Sequence, residues 1–172
     1  MFAFAIWDSP KQTLLLARDR VGIKPLYYRL TDTGIAFGSE IKAILADPEV
    51  DPEVQPGMID RFLTFYYLPG EETLFQNIRK LAPGTMMVVK HGKARIKQYW
   101  DLQFSQIPQD IRSAQYQLLA LLEESVGLHM ISDVPVGVLL SGGVDSTAML
   151  GFAVGITGRK LSSFTIGFSD VE

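Results

Sequence analysis

The 172-residue chain has no cysteine. That excludes disulfides, thiolate zinc sites and a thiol nucleophile among these residues. Histidine is scarce as well, with only His91 and His129. His91 falls in a predicted hairpin turn, where it is expected to be solvated. His129 falls at a predicted helix end, where positive charge is favoured. Neither suggests a metal ligand. There is no surplus of basic residues: 16 Lys and Arg stand against 19 Asp and Glu, a net charge of −3. No basic surface therefore argues for nucleic acid. No apolar run is long enough to span a bilayer; Ala148 to Ile156 is too short and reads as a buried helix. The apolar opening, Met1 to Asp8, has no basic region ahead of it and is a poor signal peptide. The cytoplasm is the default compartment, and no membrane partner is expected. No internal repeat or low-complexity tract is present.

What is there, 47% apolar and 20% charged residues, suits a globular protein of one or two domains. Residues 1–100 read mainly as β. Phe2 to Trp7 and Thr13 to Ala17 are expected to pair as a hairpin across Ser9-Pro10-Lys11. Pro25 to Arg29 and Gly34 to Gly38 are two more strands, joined by Thr31-Asp32-Thr33-Gly34. Ser39 is a candidate N-cap for a short helix from Glu40 to Leu45, with the Glu40 carboxylate in its first turn. Asp47-Pro48 ends it. Pro56 opens a helix over Gly57 to Tyr67, with Ile59, Phe62, Leu63 and Tyr66 at helical spacing and Leu68-Pro69-Gly70 as its stop. Thr85 to Lys90 and Ala94 to Tyr99 form a hairpin across His91-Gly92-Lys93. Arg18 and Asp19 read as a structural ion pair with the following Gly22-Ile23-Lys24-Pro25-Leu26-Tyr27-Tyr28 turn rather than catalytic groups. Tyr27-Tyr28 and Phe65-Tyr66-Tyr67 read as core and domain-contact residues rather than stacking platforms.

Gln103 to Gln109 is a polar linker. From Asp110, a plausible cap, to Met130 the pattern is helical, with Leu118, Leu122 and Val126 four apart. Val136 to Leu140 is a short apolar run that reads as a buried strand. It breaks at Ser141-Gly142-Gly143, and a helical pattern follows from Thr147. Gly158-Arg159-Lys160 turns the chain into a last β run, Leu161 to Phe168. Helix, strand, loop, helix, strand is the opening of a doubly wound α/β domain.

A strand, a glycine bend and a helix N-terminus together make an anion site. The first amides of the helix lack intrahelical acceptors, and the macrodipole adds partial positive charge. Gly142 and Gly143 permit unusual backbone angles and close approach of a ligand. Ser141 and Ser146 bring hydroxyl donors, and Asp145 could hold Mg2+ against bound phosphates. The stretch is not a Walker loop, which requires a lysine that is missing here. Ser141-Gly142-Gly143-Val144-Asp145-Ser146 instead resembles the pyrophosphate loop of the ATP pyrophosphatases, which split ATP between the α and β phosphates and pass AMP to an acceptor. The alternative is a glycine turn that merely joins strand to helix.

Four segments in one order carry a wider resemblance: Met1 to Ala5, Ala17 to Tyr28, Phe37 to Ile44, and Ser132 to Ser146. Together they resemble the glutamine-hydrolysing asparagine synthetases of the bacterial type, nearly end to end. The resemblance implies α/β with α+β architecture. Residues 1–102 would be the later part of a glutaminase domain of the N-terminal-nucleophile type, a layered αββα sandwich. Residues 110–172 would begin a Rossmann-like ATP-pyrophosphatase synthetase domain, after a linker at 103–109. It also implies a reaction: glutamine yields ammonia, aspartate is activated as β-aspartyl-AMP with release of pyrophosphate, and ammonia attack gives asparagine and AMP. Ser141, Gly142, Gly143, Val144, Asp145 and Ser146 would bind the pyrophosphate of ATP, while Leu139 and Ile166-Gly167 would flank adenine and ribose. The implied partners are ATP with Mg2+, aspartate and glutamine, with a homodimer as the candidate assembly.

The family's cysteine nucleophile, its glutamine-binding arginine, its Asn-Gly oxyanion pair and its amine-gripping acid would all precede Met1. Its aspartate site would follow Glu172. The expectation is a piece of a longer protein that does not hydrolyse glutamine by itself. Two other readings share the scaffold: an amidotransferase with another acceptor, such as a β-lactam synthetase or a polymer-tailoring enzyme, and a non-catalytic module. GMP synthetase-like enzymes share the loop, but residues 1–100 do not suggest their glutaminase.

Overall fold

A computed structural model describes residues 1–32, 34–105 and 110–167. It divides the chain into two units, Met1–Phe104 and Ser105–Glu172. Thr33 of the expected turn, 106–109 of the expected linker and Phe168 of the expected last strand lie outside the described residues. In chain order the elements are β1 (Ala3–Asp8), β2 (Thr13–Arg18), β3 (Tyr27–Leu30), β4 (Ile35–Gly38), α1 (Ile41–Leu45), α2 (Pro56–Phe65), β5 (Arg79–Lys80), β6 (Thr85–Lys90), β7 (Lys93–Gln98), α3 (Ile111–His129), β8 (Gly137–Leu139), α4 (Val144–Thr157) and β9 (Ser162–Phe164).

The first unit holds two antiparallel sheets, ordered β1-β2-β6-β7 and β4-β3-β5. Side chains alternate across a strand, and this alternation builds two cores. Leu16 on β2 and Met87 on β6 bury against Leu26, Tyr28 and Leu81, so one apolar layer joins residues of both sheets. The next residues along, Tyr27 on β3 and Ala36 on β4, face the other way, onto Ile44, Val50 and Ile78. Leu16, Leu81 and Met87 are wholly enclosed, each stabilising the fold by about 2 kcal/mol.

Turn chemistry sets the registers. The β6–β7 loop is two residues, His91 and Gly92, both at positive φ (49° and 71°). That is the turn whose twist matches paired strands. Lys93, expected in the turn, already pairs with Lys90. At α1 the N-cap is Glu40, not Ser39, with extended backbone and no side-chain cap; its carboxylate meets Lys42 at 2.6 Å instead of serving the first turn. Helix α2 starts at Pro56, whose missing N–H is harmless there, and stops at Tyr66 in the left-handed region (φ 58°), before Leu68-Pro69-Gly70. Tyr28 is buried as expected, but Phe65, Tyr66 and Tyr67 are exposed, so that triplet is not core.

Arg18 and Asp19 do not pair with each other. Asp19, 4% exposed, accepts from the backbone N–H groups of Phe2 (3.2 Å), Ile23 (3.0 Å) and Lys24 (2.9 Å). Arg18 donates to the carbonyls of Leu81 (2.7 Å), Gly22 (2.9 Å) and Lys24 (2.9 Å). Both tie the 19–24 loop to the sheets. Burial works to raise the Asp19 pKa, but the amides of Lys24, Ile23, Phe2 and Gly22 outweigh it and hold the group at about 2. A depressed folded-state pKa contributes stability that is complete above the unfolded value and is lost as pH falls through the folded one. Thermal melts of the chain are therefore expected to lose stability between about pH 4 and pH 2. In Asp19→Asn, stability at neutral pH drops and the slope across that window flattens.

In the second unit, Asp110 caps α3 as expected: its side chain accepts from Ser113 N at 3.0 Å and from Ser113 Oγ at 2.6 Å. Helix α3 packs against α4, with Val126 and Ala153 the buried apolar residues of the pair, while Leu118 stays exposed. Strands β8 and β9 pair in parallel, Val138 opposite Ser163, and α4 lies between them in sequence. Both strands are shorter than the apolar runs that announced them. Parallel strands need a crossover, and α4 provides it.

Candidate functional site

The Leu140 amide donates to Phe164 O at 2.8 Å, beyond the last β8–β9 residue pair. The chain then bends. Gly142 takes φ +79°. Gly143 is the N-cap of α4 in extended conformation, without a side-chain cap. The helix begins at Val144, earlier than the apolar pattern at Thr147 announced. Val144, Asp145 and Ser146 thus form the first turn themselves. Their amides lack intrahelical acceptors, and among the described residues no side chain accepts from them.

Hydroxyls hold the bend from within. Ser141 N–H donates to Ser146 Oγ (3.3 Å), the two serine hydroxyls lie 3.1 Å apart, and Ser146 Oγ is 3.2 Å from the Gly143 carbonyl, to which Thr147 Oγ1 also donates (2.8 Å). The two glycines serve differently. A Cβ at Gly142 would meet nothing within 4 Å, so only its backbone angle demands glycine. A Cβ at Gly143 would touch only Ser141 Oγ, at 3.5 Å. Among the described residues, no steric need explains that glycine.

Two hollows flank the bend. One, of about 340 Å3, is lined by Leu139, Leu140, Ser141, Phe164, Thr165 and Ile166. The other, of about 630 Å3, lies among α3, β8 and α4 and includes Val126, Leu139, Asp145, Ser146 and Met149. The sequence-derived residues are therefore divided. Leu139 lines both hollows, Ser141 and Ile166 the first, Asp145 and Ser146 the second; Gly142, Gly143, Val144 and Gly167 line neither. The sequence reading missed Phe164, which walls the first hollow. A Cβ at Gly137 would come within 2.8 Å of the Phe164 ring, so the glycine seats that ring against β8. Phe164 stands opposite Leu139, and its ring leans back over Gly137 two positions away; a strand glycine of this kind marks close approach by a neighbour.

An apolar wall beside free first-turn amides can receive a molecule with a flat apolar part and an anionic tail. Among the described residues no group of three or more His, Cys, Asp or Glu could hold a metal ion. Asp145 would be a lone ligand, sharing a cation with oxygens of a bound anion.

Family comparisons agree with this two-part organisation. A family model described as a glutamine amidotransferase domain matches residues 1–100, and one described as asparagine synthase matches residues 117–172. A Mycobacterium bovis relative, provisionally named a glutamine-hydrolysing asparagine synthetase, is 38% identical over 98% of this chain and 27% of its own length. Asparagine synthetase (glutamine-hydrolysing) 1 of Bacillus subtilis is 32% identical over 98% of the chain and 26% of its own length. Amidase chyE of Penicillium rubens is 33% identical over 94% and 25%. The chain thus spans about a quarter of the length of these relatives. No helix among the described residues is long and apolar enough to cross a membrane. With a glutamine amidotransferase domain followed by the asparagine synthase match in one chain, the protein belongs to the family of glutamine-hydrolysing asparagine synthetases.

Proposed function

We propose that the Ser141–Ser146 bend holds the phosphates of ATP, and that the chain supplies the nucleotide end of an amide-forming site. The observation that carries this reading is a set of first-turn amides at Val144, Asp145 and Ser146 with no side-chain acceptor, beside a glycine whose Cβ would meet little of the chain itself. Leu139 and Ile166-Gly167 would flank adenine and ribose, with Phe164 added as a wall. ATP and Mg2+ are the cofactors of this reading. Asp145, exposed and in the first turn, would hold Mg2+, which when bound neutralises phosphate charge. The amides would stabilise charge developing on the departing pyrophosphate, because they are already oriented before it forms.

In the whole protein the reaction would be the conversion of aspartate to asparagine through β-aspartyl-AMP, with ammonia from glutamine. Residues 1–102 would belong to the αββα glutaminase sandwich and residues 110–172 to the doubly wound synthetase domain. The sheet pair sharing one core and the parallel β8–α4–β9 unit support those assignments. A relative acting on another acceptor is the second reading, favoured by the likeness to Amidase chyE. Assay of the whole protein separates the two: AMP formation that depends on aspartate supports the first, and AMP formation only with other acids supports the second.

Calorimetric titration of the chain with Mg-ATP tests the shared claim. The wild-type chain is expected to bind. Gly143→Ala should fold normally yet bind at least about tenfold more weakly, a loss of about 1.4 kcal/mol, and Asp145→Asn should reduce the benefit of Mg2+. A folded wild-type chain that takes up no nucleotide would favour a non-catalytic module.

A further inference from the structure

Within Met1–Phe104, the helix-facing side of β3 and β5 leaves a hollow of about 300 Å3. Its walls are largely apolar: Tyr27, Ile41, Phe62, Leu74 and Phe75. Lys80, on β5 opposite Tyr27, is the cation among its lining residues. Two of the other polar side chains there, Glu72 and Thr73, have partners. The Glu72 carboxylate accepts from Arg61 Nη1 at 2.8 Å, and the Thr73 hydroxyl donates within its own loop, to Ile78 O at 2.7 Å. Lys80 Nζ donates to the carbonyl of Leu68, which leaves two of its three donors. Among the described residues no carboxylate pairs with it. Burial pushes the Lys80 pKa down, and the charge of Arg18 pushes it the same way. The hollow is therefore largely apolar, with one ammonium group on its wall.

We infer that this hollow is a binding site for a small monocarboxylic acid with an aromatic or branched hydrocarbon body, its carboxylate bound by Lys80 Nζ. One half-buried ammonium matches one negative charge; a phosphate would bring more charge than it can neutralise, and an amine would meet repulsion. The apolar walls suit the hydrocarbon body, and two free donors suit the two carboxylate oxygens.

Titration calorimetry with phenylacetate and with 2-phenylethanol, which has the same body but no charge, tests the site on the full 172-residue chain. Phenylacetate should bind at least tenfold more tightly than the alcohol. Lys80→Met should remove that preference and Lys80→Arg should keep part of it, with Mg-ATP titration unchanged in both. Equal affinity for the two probes, no binding of phenylacetate, or a preference that survives in Lys80→Met would overturn the assignment. Should Lys80→Met fail to fold, the comparison of the two probes on the wild-type chain still decides.

Discussion

Replacing Gly84 with Ala is expected to destabilise the first unit by about 4 kcal/mol. Gly84 sits at φ +63°, and a Cβ there would stand 2.5 Å from the Trp100 carbonyl oxygen. Left-handed backbone costs an alanine about 1 kcal/mol. The clash is the larger part, because its partner is backbone and cannot rotate away; overpacking of this kind costs up to about 3 kcal/mol. Relief would pull apart the junction Gly84 organises. Its N–H donates to Asp19 O at 2.9 Å, and its carbonyl accepts from Tyr99 N at 2.8 Å and Trp100 N at 3.2 Å. Gly92→Ala is the control: it has a similar φ of +71° but open space around it, so only the conformational cost of about 1 kcal/mol applies. Urea unfolding followed by tryptophan fluorescence should separate the two variants clearly. Equal losses would mean that the Gly84–Trp100 approach is not tight.

The second large effect concerns the bend after β8. Gly142→Val is expected to abolish measurable Mg-ATP binding, a loss of more than about a hundredfold, or about 2.7 kcal/mol. A β-branched residue at φ +79° is a true outlier, so the loop would adopt another conformation. The Ser141–Ser146 hydroxyl contact at 3.1 Å would open, and the first-turn amides would lose their common aim. Sterics are not the cause, since nothing lies within 4 Å of a Cβ there. Gly142→Asn supplies the contrast, because asparagine visits the left-handed region more readily and should retain most of the affinity. Were Val tolerated as well as Asn, the backbone angle would not matter to the site.

Much of the architecture was legible where local chemistry decides it. The short apolar run of Thr13–Arg18, the Asp110 cap, and the glycine bend after a short apolar strand each encode one backbone outcome. The misread features share a different character. Arg18 and Asp19 are adjacent and opposite in charge, which suggests a pair. Yet successive side chains at a strand end diverge, and each found backbone partners far away in sequence, Leu81 for Arg18 and Phe2 for Asp19. Tyr66 ends α2 in a conformation usually reserved for glycine or asparagine, so its residue type gave no warning. The apolar pattern announces α4 only from Thr147 because Val144 and Asp145 are exposed and Ser146 is polar, and periodicity registers only buried apolar faces. The division of the site residues between two hollows depends on where α3 packs, which no local pattern specifies.

Amide chemical shifts of the 15N-labelled chain, recorded as Mg-ATP is added, test the central claim most directly. The account predicts the largest shifts at Val144, Asp145 and Ser146, with smaller ones at Gly142 and Ile166 and none in β1 or β2. Saturable binding that leaves those three amides unmoved, or shifts confined to another part of the chain, would contradict it.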